Sequence, residues 1–153
     1  MYTFYYTSPV GVLEIRSTES HITQLQFAEA AGIASKVIPE VLRDCIRQLD
    51  EYFAGCRHDF TLPLAVQGTS FQQSVWKALQ TISYGQTISY RQLAERVGNP
   101  KACRAVGSAN GRNPIAIIIP CHRVIAADNK LGGYAGGLDI KTRLLRLEGV
   151  TLF

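Results

Sequence analysis

The sequence has no apolar run near the roughly 20 residues that a membrane-spanning helix requires. Its opening, Met1-Tyr2-Thr3-Phe4, lacks the basic-then-apolar profile of a secretory signal. These two absences make a cytoplasmic protein the expectation. None of the cysteines (Cys45, Cys56, Cys103, Cys121) stands in a CxxC pair, and four in 153 residues is far below the density of a disulfide scaffold, so free thiols are expected. His21, Cys45, Cys56 and His58 lack the ligand spacing of a zinc site, compact as Cys56-Arg57-His58 is, and no metal is expected. Internal repeats and low-complexity tracts are absent too, which excludes solenoids and disordered linkers.

Acidic residues are scarce in one half only. Residues 68–153 carry 4 Asp/Glu against 11 Lys/Arg, a balance of +7, whereas residues 1–67 carry 8 against 5, a balance of −3. A basic excess confined to one half suits a polyanionic partner, because Lys and Arg beside phosphates release condensed counterions. The same charges also suit a solvated basic surface with no partner.

With 46% hydrophobic and 18% charged residues, the composition is that of a globular chain able to bury one core or two small ones. Tyr2 to Thr7, Val12 to Thr18 and Ile22 to Phe27 are rich in β-branched and aromatic residues and read as strands. Ser8-Pro9-Val10-Gly11 and Thr18-Glu19-Ser20-His21 read as the turns between them. A helix follows from about Pro39, with Val41, Leu42, Cys45, Ile46, Leu49, Tyr52 and Phe53 as its apolar stripe and Gly55 as its stop. Cys45 lies in that stripe and reads as a core thiol. Cys56 to Gly68 is a connector, and the domain boundary is placed there, giving residues 1–67 and 68–153.

The second half reads as mostly helical. Ser70-Phe71-Gln72-Gln73 and Ser89-Tyr90-Arg91-Gln92 both fit the capping-box pattern that opens a helix. Asn99-Pro100 is expected to start another, with Asn as cap and Pro in the first helical position. Ile115 to Ile119 is expected to be a short buried strand, and Ile140, Leu144, Leu145 and Leu147 mark a last helix ending at Glu148-Gly149. Residues 89–98 and 100–109 together form a helix-turn-helix candidate. On the second helix Ala102, Val106 and Ala109 share one face, while Lys101, Arg104, Gly107 and Ser108 fall opposite. That outer face is small and positive and could enter a groove, although paired helices are also an ordinary structural unit.

The chemistry concentrates at Pro120-Cys121-His122-Arg123. A cysteine attacks as thiolate, and at its usual pKa of about 8.5 little is ionised at neutral pH. An imidazole that takes the proton, itself held by a carboxylate, remedies this. His122 is adjacent, and Glu148 is the only glutamate after Glu95. Neighbours on an extended chain point to opposite faces, so a water would have to join the two side chains. A Cys-His pair is by itself as consistent with a structural role.

Ile119-Pro120-Cys121-His122-Arg123-Val124 resembles the active-site signature of the O6-alkylguanine-DNA alkyltransferases. The resemblance extends, in order and spacing, to Phe71 to Trp76, Gly85-Gln86-Thr87-Ile88-Ser89-Tyr90, Gly98-Asn99-Pro100-Lys101, Arg104-Ala105-Val106-Gly107, Asn113-Pro114, Gly132-Gly133-Tyr134-Ala135-Gly136-Gly137 and Leu144-Leu145-Arg146-Leu147-Glu148-Gly149. It is strong from about residue 69 to 150 and weak over the first 65. What it implies is an α+β chain, with a small N-terminal sheet-plus-helix domain of structural role. A mostly helical C-terminal domain follows, bearing a (winged) helix-turn-helix and a short buried strand leading to the reactive cysteine.

The implied activity is single-use DNA repair without a cofactor, by a monomer acting on duplex DNA that carries O6-alkylguanine, with O4-alkylthymine as a second candidate base. Cys121 would accept the alkyl group, His122 would be its base through a water, and Glu148 would orient His122. Tyr90 would donate a proton to the leaving guanine, and Asn113 would brace the loop before the cysteine. Arg104 would enter the base stack, with Lys101, Ala105, Gly107 and Ser108 on the same DNA-facing helix. Carbonyls of Cys121 and Leu131, the Tyr134 side chain and the Ala135 amide would line the base pocket. Ala135 stands where some relatives carry serine and Ala116 where some carry proline. Alkyltransferase-like proteins, which bind the lesion without chemistry, lack the acceptor that Cys121 supplies. A DNA-binding regulator with Cys121 as a core thiol and a thiol hydrolase that turns over are the alternatives from other classes.

Overall fold

The computed structural model describes residues 1–126, 128 and 130–151. They fall into two compact units, Met1–Val66 and the segment beginning at Gln67. In the first unit β1 (Tyr2–Ser8), β2 (Gly11–Ser17) and β3 (Ile22–Ala28) form an antiparallel sheet in the order β1-β2-β3. Alternation along β2 sends Leu13, Ile15 and Ser17 inward, and α1 (Glu40–Phe53) packs against the sheet through Leu42, Cys45, Leu49 and Tyr52. The turn at Gly11 needs glycine, since its φ of +112° lies where a side chain is strained. Burial pushes the Cys45 thiol up to about 12, so it is an inert core thiol. The connector is partly ordered by pairing: Ile22 N–H donates to the Pro63 carbonyl and Ala65 N–H to that of Ile22, both at 2.9 Å.

The second unit is built from α2 (Ser70–Leu79), β4 (Ile88–Ser89), α3 (Tyr90–Arg96), α4 (Cys103–Gly111), a single 3-10 turn (Cys121–Arg123), β5 (Val124–Ile125) and α5 (Leu138–Leu147). Helices α2, α3 and α4 pack on one another, and the Trp76 indole donates to the Ala109 carbonyl at 2.8 Å to tie α2 to α4. The Ser89 capping box forms as expected, with Gln92 as its reciprocal partner.

Three local expectations are corrected. The first capping box starts one residue earlier, on Thr69, because its side chain rather than that of Ser70 accepts from the Gln72 amide. Helix α4 begins at Cys103, not at Pro100. Residues 99–102 close a separate turn in which the Ala102 N–H donates to the Asn99 carbonyl, and that turn replaces the first turn of helix. Ile115–Ile119 is buried as expected but is not a strand. Its amides bond locally, Ile118 to Ala116 and Ile119 to Ile115, and Ile117 holds a φ of +71°, strained for a β-branched residue. The strand is instead β5, immediately after the cysteine, pairing in parallel with β4.

Candidate active site and nucleic-acid interface

The strained Ile115–Ile119 segment feeds the 3-10 turn that carries Cys121, His122 and Arg123, all three buried. Asn113 braces this approach from both sides: its Nδ2 donates to the Ile119 carbonyl at 2.7 Å and its Oδ1 accepts from the Ile115 amide at 3.0 Å. Asn110, on the inner face of α4, donates to the carbonyl of Cys121 at 3.4 Å. The loop thus hangs from the end of α4 by two side-chain amides.

Behind the turn lies a buried charge cluster. His122 Nε2 and Glu148 Oε2 are 2.7 Å apart, with both side chains fully buried. Arg123 grips the same carboxylate from Nε at 2.8 Å and Nη2 at 3.2 Å, and its Nη1 donates to the Ile82 carbonyl at 2.6 Å. The Gly85 amide adds a further contact to Glu148 Oε1 at 3.3 Å. Gly85 sits at a φ of +78°, and a Cβ there would be 3.1 Å from the Glu148 carbonyl, which is why the Tyr84-Gly85 step holds glycine. Burial alone would raise the Glu148 carboxyl, but the bonds from His122 and Arg123 hold it well below the usual carboxylate range.

His122 is lowered as well, which for an imidazole favours the neutral form. Burial pushes its imidazole down, outweighing the pull of Glu148, so the ring is neutral at pH 7. A carboxylate only accepts, so Nε2 carries the hydrogen and Nδ1 keeps the lone pair. Among the described residues that Nδ1 has no partner, nor has Asn110 Oδ1, and both are buried. Cys121 is 5% exposed. Burial pushes its thiol up, against donors from Asn113 and Tyr134 and the positive Lys141 nearby, so the resting group is the thiol and not the thiolate.

These shifts set the acid response. Both His122 and Glu148 have lowered values in the folded state, so the unfolded chain binds more protons in acid and stability falls with pH. The loss starts below about 6.5, where the unfolded imidazole protonates, and steepens through the ordinary carboxylate range at about 1.4 kcal/mol per pH unit per proton. Urea melts of the intact chain between pH 7.5 and 4 are expected to show this slope, and His122→Gln to flatten its upper part. A slope unchanged in that variant would place the acid sensitivity elsewhere.

Tyr90 stands at the first position of α3, half-buried, with its hydroxyl against Gly132. The buried Tyr134 hydroxyl lies close enough to Cys121 to favour its thiolate, and burial first, then the negative groups at Cys121 and Glu148, raise the phenol's own value. Leu131 is half-buried and packs against Ile125, Leu145 and Val150. Its carbonyl accepts from Lys141 Nζ, and the Cys121 carbonyl from Asn110, so both carbonyls expected to face the base already hold one donor. Each keeps a second lone pair. Ala135 is exposed.

On α4 the outward face is Arg104, Ala105 and Ser108, all exposed, with Gly107 half-buried and Lys101 exposed just before the helix. A Cβ on Gly107 would lie 3.7 Å from Tyr90, so α3 and α4 meet closely there. His21, Cys45, Cys56 and His58 form no metal-binding cluster among the described residues.

Sequence reasoning gave no role to Arg123, Lys141 or Asn110. For Lys141 a signal existed: with Leu144, Leu145 and Glu148 it shares one face of α5, and all four are buried.

Residues 1–66 match the family model of the 6-O-methylguanine DNA methyltransferase ribonuclease-like domain, and residues 70–150 match that of the DNA binding domain. A methylated-DNA–protein-cysteine methyltransferase of Methanosarcina acetivorans is 49% identical, covering 97% of this chain and 99% of that protein. One from Mycobacterium leprae is 51% identical over 92% of this chain and 88% of its own length. A crystal structure of Mycobacterium tuberculosis OGT in complex with DNA superposes with a TM-score of 0.88 at 46% identity, covering 97% and 92% of the two chains. The chain belongs to the 6-O-methylguanine DNA methyltransferase family. No helix among the described residues is long and apolar enough to cross a membrane.

Proposed function

We propose that this protein repairs alkylated DNA by moving the alkyl group from O6 of a flipped-out guanine to the sulfur of Cys121. The observation that carries the reading is the buried His122–Glu148 pair beside a buried thiol, with Nδ1 of the imidazole left as a base. A water between that nitrogen and the thiol would complete the relay. The thiol proton passes through it to His122, the S–C bond forms, and the C–O6 bond breaks. The guanine takes a proton from Tyr90 as it leaves. The thioether product has no route back, so each molecule reacts once.

Duplex DNA is the partner, and the basic second unit presents α4 to it. Small residues on its outer face admit close approach to a groove, and Arg104, exposed on that face, enters the stack where the nucleotide leaves. Little base reading is needed, because damage is not sequence-specific. Lys101 adds phosphate attraction. The four free thiols suit a reducing, cytoplasmic setting. The first unit has a structural role.

The test is to mix the protein with an O6-methylguanine duplex and map the peptides. One methyl on the Cys121 peptide is expected, at most one per molecule, and methyl on any other residue would overturn the proposal. Arg104→Ala should slow transfer on duplex by about tenfold or more, since extrusion costs a few kcal/mol, while leaving reaction with the free alkylguanine base within about twofold. Equal slowing on both substrates would remove its part in extrusion.

A further inference from the structure

Among the described residues two permanent cations are buried: Arg123 pairs with Glu148, whereas Lys141 has no carboxylate against it and no part in the reaction above. Its side chain is fully buried in α5, and its ammonium donates to three backbone carbonyls: Val124 at 2.7 Å, Gly133 at 3.0 Å, and Leu131. All three of its hydrogens are therefore spoken for. The partners are not scattered. Val124 opens β5 directly behind the reactive turn, whereas Leu131 and Gly133 belong to the loop that faces Tyr90.

The peptide geometry makes the grip specific. The Leu131 carbonyl belongs to the peptide joining 131 to 132, and the Gly133 carbonyl to that joining 133 to 134. Between them lies the Gly132–Gly133 peptide, which runs against the Tyr90 hydroxyl; burial raises the phenol, and the Gly133 backbone opposes that in part. Gly132 approaches Tyr90 so closely, at a φ of +70°, that a Cβ there would lie 2.9 Å from the phenol oxygen. Lys141 thus clamps the peptides on both sides of the one that meets Tyr90, and anchors them to the strand behind Cys121.

We propose that Lys141 is a positioning residue for the leaving-group proton: by holding the Leu131 and Gly133 carbonyls it fixes the Gly132–Gly133 peptide against the Tyr90 oxygen, so that the peptide N–H can donate there and the phenol hydrogen points to the departing base. The logic is that of a hydroxyl with one acceptor side occupied. With a donor fixed on its oxygen, the phenol is a better acid, and its own hydrogen is directed away from the loop. The charge of Lys141 also favours the Cys121 thiolate, and the two effects separate by leaving group. Methyl transfer from O6-methylguanine releases a base that needs a proton; alkylation of the same sulfur by iodoacetamide releases iodide, which needs none.

This inference rests on Tyr90 being the proton donor, and the experiment keeps the two apart. Methyl transfer from an O6-methylguanine duplex and iodoacetamide alkylation of Cys121 are timed at one pH for the wild type, Lys141→Gln, Lys141→Met, Tyr90→Phe and the Lys141→Met/Tyr90→Phe double variant. The lysine variants should slow methyl transfer at least about tenfold more than they slow alkylation by iodoacetamide. Once divided by the slowing of iodoacetamide alkylation, which measures the effect on sulfur, the double variant should match Tyr90→Phe within about twofold, because the rest of the Lys141 effect acts through that hydroxyl. Equal slowing of both reactions, or a double variant still additive after that division, overturns the proposal and leaves Lys141 as a counter-ion to sulfur alone. Methyl transfer unchanged in Tyr90→Phe removes the underlying reading of Tyr90, whatever the lysine variants do. Should both lysine variants fail to melt cooperatively, Gly132→Ala displaces the same contact from the loop side. It should show the same excess loss on methyl transfer, and an unchanged ratio of the two rates counts against the clamp.

Discussion

Cys121→Ala is expected to bind an O6-methylguanine duplex with affinity within about twofold of the wild type and to accept no methyl group at all. The sulfur is the only atom of that side chain that can form the product bond, and no other described thiol is placed to substitute for it. Cys45 is a core thiol in the first unit, held protonated by burial, and Cys56 and Cys103 lie outside the reactive turn. The outward face of α4 does not depend on the sulfur, since the turn is held by Asn113 on Ile119 and Asn110 on the Cys121 carbonyl, both backbone contacts. Gel-shift titration with peptide mapping reads both halves. Methyl recovered on another residue of the variant would show that Cys121 is not the acceptor. Binding lost along with transfer would show that the thiol is part of the DNA interface.

The second large effect is at Glu148. Replacing it by Gln removes the charge but keeps the shape, and two consequences follow. Arg123, 7% exposed at its side chain, loses its counter-charge inside the protein. Breaking one partner of a buried pair costs about 3–5 kcal/mol. The new amide also donates to His122 Nε2, which moves the ring hydrogen to Nδ1 and removes the lone pair that takes the thiol proton. Methyl transfer is expected to fall roughly 10²–10⁴-fold, the usual worth of a positioned base, with DNA binding retained below the melting transition. Glu148→Asp keeps the charge at shorter reach and should retain more stability than Glu148→Gln. Single-turnover rates together with urea melts separate the two losses. A Gln variant that transfers methyl within threefold of the wild type would eliminate His122 as the base.

Both effects bear on how much of the molecule could be read without coordinates. The sheet of the first unit was legible because β-branched and aromatic runs alternate between clear turns, and the stripe from Leu42 to Tyr52 has a period only a helix satisfies. The Ser89 cap and the end of α5 at Glu148 were legible for the same reason: their signals are local. Misreadings occurred where two local signals competed. Thr69 and Ser70 are both good caps one residue apart, and each has a glutamine three residues on, Gln72 and Gln73, so the spacing alone does not decide between them. Asn99-Pro100 has the chemistry of a helix start, yet its turn closes on itself before α4 begins. The run Ile115–Ile119 is apolar throughout, and a run buried on every side carries no period from which to tell a strand from a strained coil.

The sequence by itself determined the reactive unit: a thiol, an imidazole beside it, one glutamate late in the chain, and a basic half with a small-faced helix. Those are statements about which chemical groups exist and how local segments fold, and the chain order contains them. Only the tertiary structure decided which groups meet. Arg123 against Glu148, Lys141 on three carbonyls, and Asn110 on the backbone of Cys121 join residues between 8 and 25 positions apart. A buried Lys or Arg looks, letter by letter, like one on the surface. What distinguishes it is desolvation, which makes an unpartnered charge prohibitively unstable and so forces each cation onto specific acceptors once the helices close.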